Sequence, residues 1–445
     1  MNTVEKFIKE FENKKQNNSV YLPESDFPRI VIIGAGFAGI NMVRNLENKP
    51  VQIVLLDQNN FHQFQPLLYQ VAISGLEPDS IVSPIRKIFK TCKNLVYRMT
   101  TVNEILPKDK IIKTNNGDIN YDFLVIATGS STNFYDSENL KKFTIGMKNI
   151  QDALNIRSWI LQNFEKSISL NDIKEKHSRT KFIIVGGGPA GVEMAGALAE
   201  FKKYLLKNDY PEIEFDMMKI YLIQAADRLL PAMSEKSSKH AKSVLEKLGV
   251  KIMLNTFVKD YDGEKLTIDN QNGLDSTRAK TVIWTAGVKG NIINGLNKSD
   301  VIKGNRIKVD GYNRLKSNPE IFAIGDVAAM ISDKYTNGHP MIAQAAIQQG
   351  ETLAKNILNF VKENKFLCEF EYKDKGSMAI IGKKDAVADI KSFYLNGKFG
   401  WLLWSIIHLL SINSFRNKMK IAFNWMLKYF TYDKTNQLII RKYKH

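Results

Sequence analysis

Cysteine is scarce in this chain of 445 residues, which contains only Cys92 and Cys368. No CxxC or HxxxH spacing occurs, so the sequence offers neither a disulfide framework nor the ligand spacing of a zinc site. These absences exclude a secreted, disulfide-stapled domain. A reducing, cytoplasmic setting is therefore expected.

Long apolar segments and acidic residues are also in short supply. The first residues contain no apolar core of signal-peptide length, and 1–28 is expected to be a solvated extension made of a short charged helix and a polar linker. The 63 Lys and Arg residues outnumber the 46 Asp and Glu residues, which gives a formal net charge of +17. Such an excess favours an anionic partner: nucleic acid, anionic lipid or a phosphorylated ligand.

Two segments, 29–46 and 181–198, share one pattern. Each begins with a basic residue and a β-branched run, passes through GxGxxG and continues as a helix, which is the context of a dinucleotide-binding turn. The first glycine permits the turn, the second lets a pyrophosphate approach the backbone, and the third lets the helix pack against the strand. The candidate residues of the two turns are Gly34, Gly36, Phe37, Ala38 and Gly39, and Gly186, Gly188, Pro189, Ala190 and Gly191.

The strand that follows each turn ends in a polar residue. Asp57 ends the run 50–57, where a carboxylate accepts hydrogen bonds from the hydroxyls of an unphosphorylated adenosine ribose. Gln224 ends the corresponding run 219–224. A glutamine bonds a ribose hydroxyl less strongly, but it does not repel a 2′-phosphate as a carboxylate does. We therefore expect relaxed discrimination against NADPH at this site.

Two dinucleotide sites in one chain predict a bound flavin and a visiting nicotinamide. The segments ATGS and IGDVA support this interpretation, with candidate residues Ala127, Thr128, Gly129, Gly325 and Asp326. The predicted fold is α/β, with two Rossmann-like dinucleotide-binding domains, one nested in the other, plus a C-terminal amphipathic helical membrane-anchoring region. The expected limits are 1–28 for the extension, 29–145 and 295–365 for the FAD-binding domain, 146–294 for the NAD(P)H-binding domain and 366–445 for the C-terminal region.

The chain resembles the two-dinucleotide-binding-domain flavoproteins and, within them, the type II (alternative, non-proton-pumping) NADH:quinone oxidoreductases. The motifs that carry the resemblance are GAGFAG (34–39), HQFQPLLYQVA (62–72), ATGS (127–130), GGGPAGVE (186–193), WTAGV (284–288), GDVA (325–328) and AQAAIQQG (343–350). The resemblance implies FAD on the first turn, NADH on the second and a membrane quinone, ubiquinone or menaquinone, as acceptor. The two isolated cysteines disfavour the related disulfide reductases and sulfide:quinone enzymes.

The resemblance also implies roles for residues near the reacting groups. Gln70 belongs to the stretch that runs along the flavin, and Ala286 and Gly287 belong to a nucleotide-binding segment. Glu193 matches a glutamate near the meeting point of nicotinamide and flavin, where it would orient the nicotinamide or relay a proton.

Gln344 and Gln348 are four residues apart and share one face of a predicted helix. Their amides are suited to donate hydrogen bonds to quinone carbonyls, and the resemblance assigns them to the quinone pocket. Family members can carry a basic residue near the acceptor site at this place in the chain. The sequence does not decide whether Lys383 or Lys384 matches it, and a solvated surface pair stays an equal alternative.

The C-terminal segment combines apolar and basic residues. The run 399–412 is shorter than the roughly 20 apolar residues that a bilayer-spanning helix needs. Ser405, His408 and Ser411 form a narrow polar stripe on it, and His408 is expected to be structural. The segment 414–430 places basic residues opposite an apolar face, as in helices that lie in the headgroup region of a membrane. The tail cations are Arg416, Lys418, Lys420, Lys428, Lys434, Arg441, Lys442 and Lys444.

The sequence therefore predicts a peripheral flavoenzyme on the cytoplasmic face of the cell membrane, bound to anionic lipid through 399–445. It would pass a hydride from NADH to FAD and two electrons on to a quinone without pumping protons, and the resemblance implies a homodimer. Two alternatives stay open: a soluble NAD(P)H-dependent reductase of ferredoxin or oxygen, and a non-catalytic redox sensor that binds FAD and NAD(H). Nucleic-acid binding is disfavoured because the cations lie beside tryptophans and aliphatic residues and no recognition motif occurs.

Overall fold

The computed structural model describes residues 19–391, 393–431, 437–439 and 441–444, without the side chains of 205, 207 and 428–431. The helix expected in the N-terminal extension falls on 1–18, outside these residues. Lys434 and the side chain of Lys428, both counted among the tail cations, also lie outside them.

The chain forms two compact units. The first contains the described residues up to His62 together with Ser83–Ser131 and Val288–Asp374. The second contains Gln63–Val82, Thr132–Gly287 and the residues from Lys375 onward. The domain limits given above remain a proposal.

The first unit is built on a five-stranded parallel sheet. Its strands, in spatial order, are Ile321–Ala323, Phe123–Ile126, Arg29–Ile33, Gln52–Asp57 and Leu95–Met99. The central strand RIVII is almost wholly buried, as expected for a strand covered on both faces. The helices Phe37–Leu46 and Ala343–Glu363 pack against each other so closely that a Cβ on Gly350 would lie 2.5 Å from the carbonyl oxygen of Ala38.

Shorter elements complete the first unit. One antiparallel sheet contains Val102–Leu106, Ile111–Thr114 and Gly117–Asn120, and a second sheet contains Val301–Ile302, Arg306–Val309 and Ala328–Met330. Helix Ile85–Ile88, strand Val288–Gly290 and the 3₁₀ turns Lys298–Asp300 and Gly325–Val327 connect these elements. Strands Phe61–Gln63, Val82–Pro84 and Ser130–Thr132 lie where the chain passes from one unit to the other.

The second unit repeats the architecture. Its parallel sheet has the order Ile145–Gly146, Thr281–Trp284, Lys181–Val185, Lys219–Ile223 and Val250–Met253. An antiparallel sheet follows, formed by Phe257–Tyr261, Lys265–Asn270 and Gly273–Arg278. The α-helices of this part are Glu138–Phe143, Ile150–Ile168, Ile173–Arg179, Pro189–Asn208 and Glu235–Lys247, with a 3₁₀ turn at Phe215–Met217. Helix Ile150–Ile168 begins with a capping box, in which Asn149 and Asp152 satisfy each other's backbone N–H groups.

The rest of the second unit consists of short helices, a small antiparallel sheet and two C-terminal helices. It contains the 3₁₀ turn Gln65–Leu67 and helices Leu68–Ala72 and Pro78–Ile81. The short strands expected after residue 366 are Ser377–Gly382, Asp385–Ile390 and Phe393–Asn396, which form an antiparallel sheet. Helices Gly397–Ser411 and Phe415–Thr431 are the last helices among the described residues. Within the described ranges, no helix combines the length and the apolar character that crossing a membrane requires.

Candidate functional site

In the first glycine-rich turn, two of the three glycine positions have no room for a side chain, and the third faces open space. Gly34 has φ of +108°, and a Cβ there would lie 2.3 Å from the carbonyl oxygen of Ala127. A Cβ on Gly39 would lie 1.9 Å from the carbonyl oxygen of Gly34, whereas one on Gly36 would meet nothing within 4 Å. The open side lies at the start of helix Phe37–Leu46, where the backbone N–H groups and the positive end of the helix dipole favour an anion. The turn therefore fits a pyrophosphate.

The second turn repeats this geometry within the second unit. Gly186 has φ of +111°, and a Cβ there would lie 2.8 Å from the backbone nitrogen of Ala286. A Cβ on Gly191 would lie 1.8 Å from the carbonyl oxygen of Gly186, and one on Gly188 would again meet nothing within 4 Å. Helix Pro189–Asn208 begins at this turn. Both turns are thus shaped for the phosphates of a dinucleotide.

The residues at the two strand ends occupy matching places. Asp57 Oδ2 accepts a hydrogen bond from the backbone N–H of Ala35 at 2.7 Å, and Gln224 Oε1 accepts one from the backbone N–H of Gly187 at 2.8 Å. Burial raises the pKa of the Asp57 carboxyl, although its backbone hydrogen bonds act in the opposite direction. In each unit, a side-chain oxygen at the strand end therefore hydrogen-bonds the backbone of the turn. An adenosine ribose is expected beside the same residue.

The remaining flavin candidates of the first unit lie on its own loops. Gly325 has φ of +74° and begins a 3₁₀ turn that carries Asp326, whose Oδ2 accepts a hydrogen bond from Ser130 Oγ at 2.5 Å. Thr128 Oγ1 donates to the carbonyl oxygen of Asn291 at 2.6 Å, beside Ala127 and Gly129. Gln349 Oε1 accepts from the Gly325 backbone N–H at 2.7 Å. Sequence reasoning missed Gln349, although it is the third glutamine of AQAAIQQG and its helical position turns it away from its neighbours.

His62 is a further polar group that sequence reasoning did not select. Its Nδ1 lies 2.9 Å from the carbonyl oxygen of Ala35, and its ring meets the edge of Phe37. Among the described residues, its buried Nε2 has no hydrogen-bond partner. Burial lowers the pKa of His62 to about 4, so the imidazole is neutral and its Nε2 presents a lone pair beside the first turn. A buried acceptor of this kind is consistent with a bound cofactor that supplies a donor.

The two glutamines assigned to the quinone pocket belong to the first unit. Both lie in the first turns of helix Ala343–Glu363 and are half-buried. The amide of Gln348 bonds the backbone of Lys373 twice: Oε1 accepts from the N–H at 3.0 Å and Nε2 donates to the carbonyl oxygen at 2.9 Å. A quinone that used the Gln348 amide would compete with these bonds. Sequence spacing alone does not reveal these bonds of Gln348 and makes Gln344 and Gln348 equivalent.

A cavity of about 120 Å³ lies in the second unit beside Glu193. Helix Pro189–Asn208 contributes Glu193, Ala197, Glu200 and Tyr204, which recur on one face of the helix. Other residues that line the cavity include Tyr69, Gln70, Ile73, Ile380, Lys383, Trp401, Trp404 and Trp425. Of the two lysines that the sequence left undecided, Lys383 is therefore the one in the cavity wall, and its backbone N–H donates to the Glu200 carboxylate.

Glu193 is electrostatically unusual for a carboxyl group. Burial raises its pKa to about 8, and the hydrogen bond that it receives from the backbone of Ile380 offsets only part of this shift. Near neutral pH the group is therefore poised to hold or release a proton. Gln70, expected along the flavin, lines the same cavity and bonds Tyr69 and Trp425 through its amide.

The two last helices present apolar side chains on opposite sides. Their tryptophans line the cavity, and Trp404 is stacked on His408 with ring centroids 4.1 Å apart. Ser405, His408 and Ser411 each bond the backbone carbonyl four residues earlier, so the polar stripe is satisfied within its own helix. Large apolar side chains nevertheless stay exposed on the two helices: Phe399, Leu402, Ile406, Ile407, Leu410, Phe415, Met419, Phe423, Met426 and Leu427.

Comparison with known proteins identifies relatives that match most of the chain. Residues 28–350 match the family described as pyridine nucleotide-disulphide oxidoreductase, and residues 375–431 match the NDH2 C-terminal domain. A type II NADH:quinone oxidoreductase of Mycobacterium tuberculosis is 32% identical over 418 residues, which cover 91% of this chain and 88% of the relative. A type II NADH:quinone oxidoreductase of Staphylococcus haemolyticus is 27% identical, with 84% of this chain and 92% of that protein covered.

The fold is similar to that of a solved structure. The structure of NDH2 from Plasmodium falciparum in complex with NADH has a TM-score of 0.84 and 24% sequence identity, with 93% of this chain and 100% of that chain covered. This likeness supports the α/β architecture with Rossmann-type domains that the sequence predicts.

Proposed function

Because the chain belongs to the type II NADH:quinone oxidoreductases, we propose that it transfers electrons from NADH through bound FAD to a membrane quinone without pumping protons. The observation that carries this proposal is the presence of two matching dinucleotide turns, one in each unit, each with an acceptor at the end of the next strand. One such turn binds a resident dinucleotide and the other a visiting one.

The residues of the first unit hold FAD. Gly34, Gly36 and Gly39 leave space for its pyrophosphate at the start of helix Phe37–Leu46, and Asp57 accepts from its adenosine ribose. Asp326 and the loop Ala127–Thr128–Gly129 face the rest of the cofactor. Bound FAD supplies two-electron transfer between nicotinamide and quinone.

The residues of the second unit orient the nicotinamide dinucleotide. Gly186, Gly188 and Gly191 receive the pyrophosphate, and Ala286 and Gly287 border the same turn. Gln224 accepts from the adenosine ribose through an uncharged amide. NADPH is therefore tolerated better than a glutamate at this position would allow.

Glu193 has the proton-handling role in this proposal. With a pKa of about 8, its carboxyl group changes protonation state at a pH close to neutral. A change in the charge of its neighbours can therefore make it take up or release a proton at little free-energy cost. Gln344 and Gln348 are the proposed amide donors to the quinone carbonyls, with Gln348 first exchanging its bonds to Lys373.

The tail attaches the enzyme to the membrane. Leu410 and Phe415 expose 67% and 78% of their surface, and a group of large exposed apolar side chains favours contact with a membrane or another apolar surface. The described basic residues Arg416 and Lys418 lie in the same helix as Phe415 and favour anionic lipid on the cytoplasmic face. A homodimer, which the family resemblance implies, is part of the same proposal. Sedimentation of the protein in detergent solution would measure its oligomeric state.

Anaerobic stopped-flow spectroscopy of the purified protein tests the proposal. NADH should bleach the oxidised-flavin band near roughly 450 nm, and a short-chain ubiquinone or menaquinone should then restore it rapidly. Recovery with ferredoxin or oxygen but not with quinone would support a soluble reductase. Binding of FAD and NADH without turnover would support a sensor, and absence of flavin would refute the assignment of the first turn.

A further inference from the structure

A chain of hydrogen bonds links the cavity beside Glu193 to the last helix. Trp425, in helix Phe415–Thr431, places its indole Nε1 2.9 Å from Gln70 Oε1. The other amide atom, Gln70 Nε2, lies 2.8 Å from the hydroxyl oxygen of Tyr69. All three side chains line the cavity.

Trp425 fixes the direction of both bonds. An indole N–H can only donate, so the atom of Gln70 that faces it must be the amide oxygen. The amide nitrogen is thereby turned toward Tyr69, and since it too can only donate, the Tyr69 oxygen accepts. The proton of the Tyr69 hydroxyl is then left to bond a third group. Burial, and next the Glu193 carboxylate, raise the pKa of Tyr69 well above its ordinary value, so the hydroxyl keeps this proton at neutral pH.

The cavity suits a flat molecule that carries a carbonyl group. Apolar and aromatic side chains, among them Ile73, Trp401 and Trp404, form much of its wall, beside the polar groups of Tyr69, Gln70, Glu193, Glu200, Tyr204 and Lys383. The helices that contribute the tryptophans are the same two that expose apolar side chains on their outer side. A lipid-dissolved quinone therefore matches this lining better than the charged nicotinamide dinucleotide does.

We propose that Trp425 is a positioning residue, which fixes the Gln70 amide so that Tyr69 offers its O–H to a carbonyl oxygen of the quinone. This inference rests on the proposed quinone reductase function. It assigns the quinone carbonyl to Tyr69 in the cavity of the second unit, whose described lining does not include Gln344 or Gln348, and is thus an alternative to those two amide donors. It also makes acceptor binding depend on the correct seating of the last helix, the element proposed to lie on the membrane.

The Trp425→Phe variant removes the N–H and keeps an aromatic ring. Without that donor the Gln70 amide is free to turn its oxygen toward Tyr69 and to accept the hydroxyl proton. We expect the KM for a short-chain quinone to rise about three- to tenfold, the effect of one neutral hydrogen bond. Each variant's quinone rate is compared with its rate with ferricyanide, an acceptor that has no carbonyl. Tyr69→Phe should raise the same KM similarly, and the double variant should be no worse than either single variant.

The Gln70→Glu variant tests the direction of the hydrogen bond to Tyr69 separately from the contact with Trp425. A carboxylate at this position accepts from Trp425 and from Tyr69 together, so the contact with the helix is retained while the Tyr69 proton is consumed. The KM for quinone should therefore rise in this variant as it does in Tyr69→Phe. If Gln70→Glu leaves that KM unchanged, the contact is merely structural and the proposal is overturned.

Trp159 provides the matched control. Its indole Nε1 donates a hydrogen bond to the backbone carbonyl oxygen of Lys280 at 2.8 Å, and the described residues that line the cavity do not include Trp159. Trp159→Phe loses the same atoms as Trp425→Phe and one hydrogen bond outside the cavity, so it should not change the quinone KM. Equal effects of the two variants, or a rise in the KM for NADH instead, would refute the proposal. A wild-type enzyme that reduces ferricyanide but no quinone would instead refute the proposed function on which it rests.

Discussion

Replacing Gln224 by glutamate tests how the second nucleotide site selects its dinucleotide. Gln224 Oε1 accepts the Gly187 N–H at 2.8 Å, as Asp57 Oδ2 accepts the Ala35 N–H at 2.7 Å in the first unit. The Gln224→Glu variant keeps this bond and adds a negative charge at the place where a ribose is expected. The change is nearly isosteric, so the backbone of the turn should not move.

The expected magnitude follows from the charges involved. Two unit charges about 4 Å apart near a protein surface interact by roughly 4 kcal/mol before screening, and salt and solvent reduce this to roughly 2 kcal/mol. A 2′-phosphate should therefore bind roughly 30-fold less well to the variant. NADH should bind more tightly, because a hydrogen bond to a carboxylate is stronger than one to an amide by about 1 kcal/mol, or roughly fivefold.

The assay is the ratio of kcat/KM for NADPH to that for NADH, measured with ferricyanide so that the quinone site plays no part. The ratio should fall in Gln224→Glu, and the fall should shrink as ionic strength increases. Gln162→Glu is the control for added charge. It places the same charge in the same unit, on helix Ile150–Ile168, where the amide bonds only the Ser158 carbonyl in the described structure. If wild type rejects NADPH as strongly as Gln224→Glu does, the reasoning is wrong.

Three further predictions concern other sites. Burial raises the pKa of Glu193 from 4.5 to about 8 in the folded protein, so its contribution to stability is full below pH 4.5 and is lost as the pH rises through 8. The free energy of unfolding should fall by roughly 1.4 kcal/mol per pH unit in this range, and the Glu193→Gln variant should not show this fall. Unfolding temperatures measured from about pH 5 to 8 test the prediction. Asp57→Asn weakens the charged hydrogen bonds to Ala35 and to FAD, and FAD fluorescence titration should show roughly 10- to 100-fold weaker binding. Replacing exposed Met419 or Phe423 by glutamate removes roughly 1.5–3 kcal/mol of apolar burial and should reduce sedimentation with anionic vesicles at least tenfold, whereas equal sedimentation would refute the role of the tail.

Much of the nucleotide chemistry is predictable from the sequence because it is local. The spacing of glycines around residues 34 and 186 is enough to predict a turn, and the structure has both residues at positive φ with no room for a Cβ. The strand ends at Asp57 and Gln224 are equally local, since each lies one β-run after its turn. The α/β fold follows from the same repeats.

The cavity is not predictable in this way, because its walls come from distant parts of the chain. Gln70 and Trp425 bond each other across more than 350 positions of sequence, and no periodicity in either segment indicates the pair. Gln348 likewise bonds the backbone of Lys373, beyond the helix that made Gln344 and Gln348 appear equivalent. Contacts of this kind depend on tertiary packing, which sequence spacing does not encode.

The tail shows why a helix with apolar residues on both sides need not be buried on both. The sequence predicts an apolar run with a narrow polar stripe at 399–412 and an apolar face opposite basic residues at 414–430. In the structure the apolar side chains have two environments: tryptophans line the cavity, and side chains such as Phe399 and Phe423 stay exposed. The inner face lowers the free energy of the fold by burial, and the outer face can do so only in contact with lipid or another apolar surface. Detaching the outer face would therefore also loosen the helix that carries Trp425. On this reasoning, membrane attachment and orientation of the Tyr69 hydroxyl are two consequences of one packed helix pair, and conditions that strip the enzyme from lipid should weaken quinone reduction more than ferricyanide reduction.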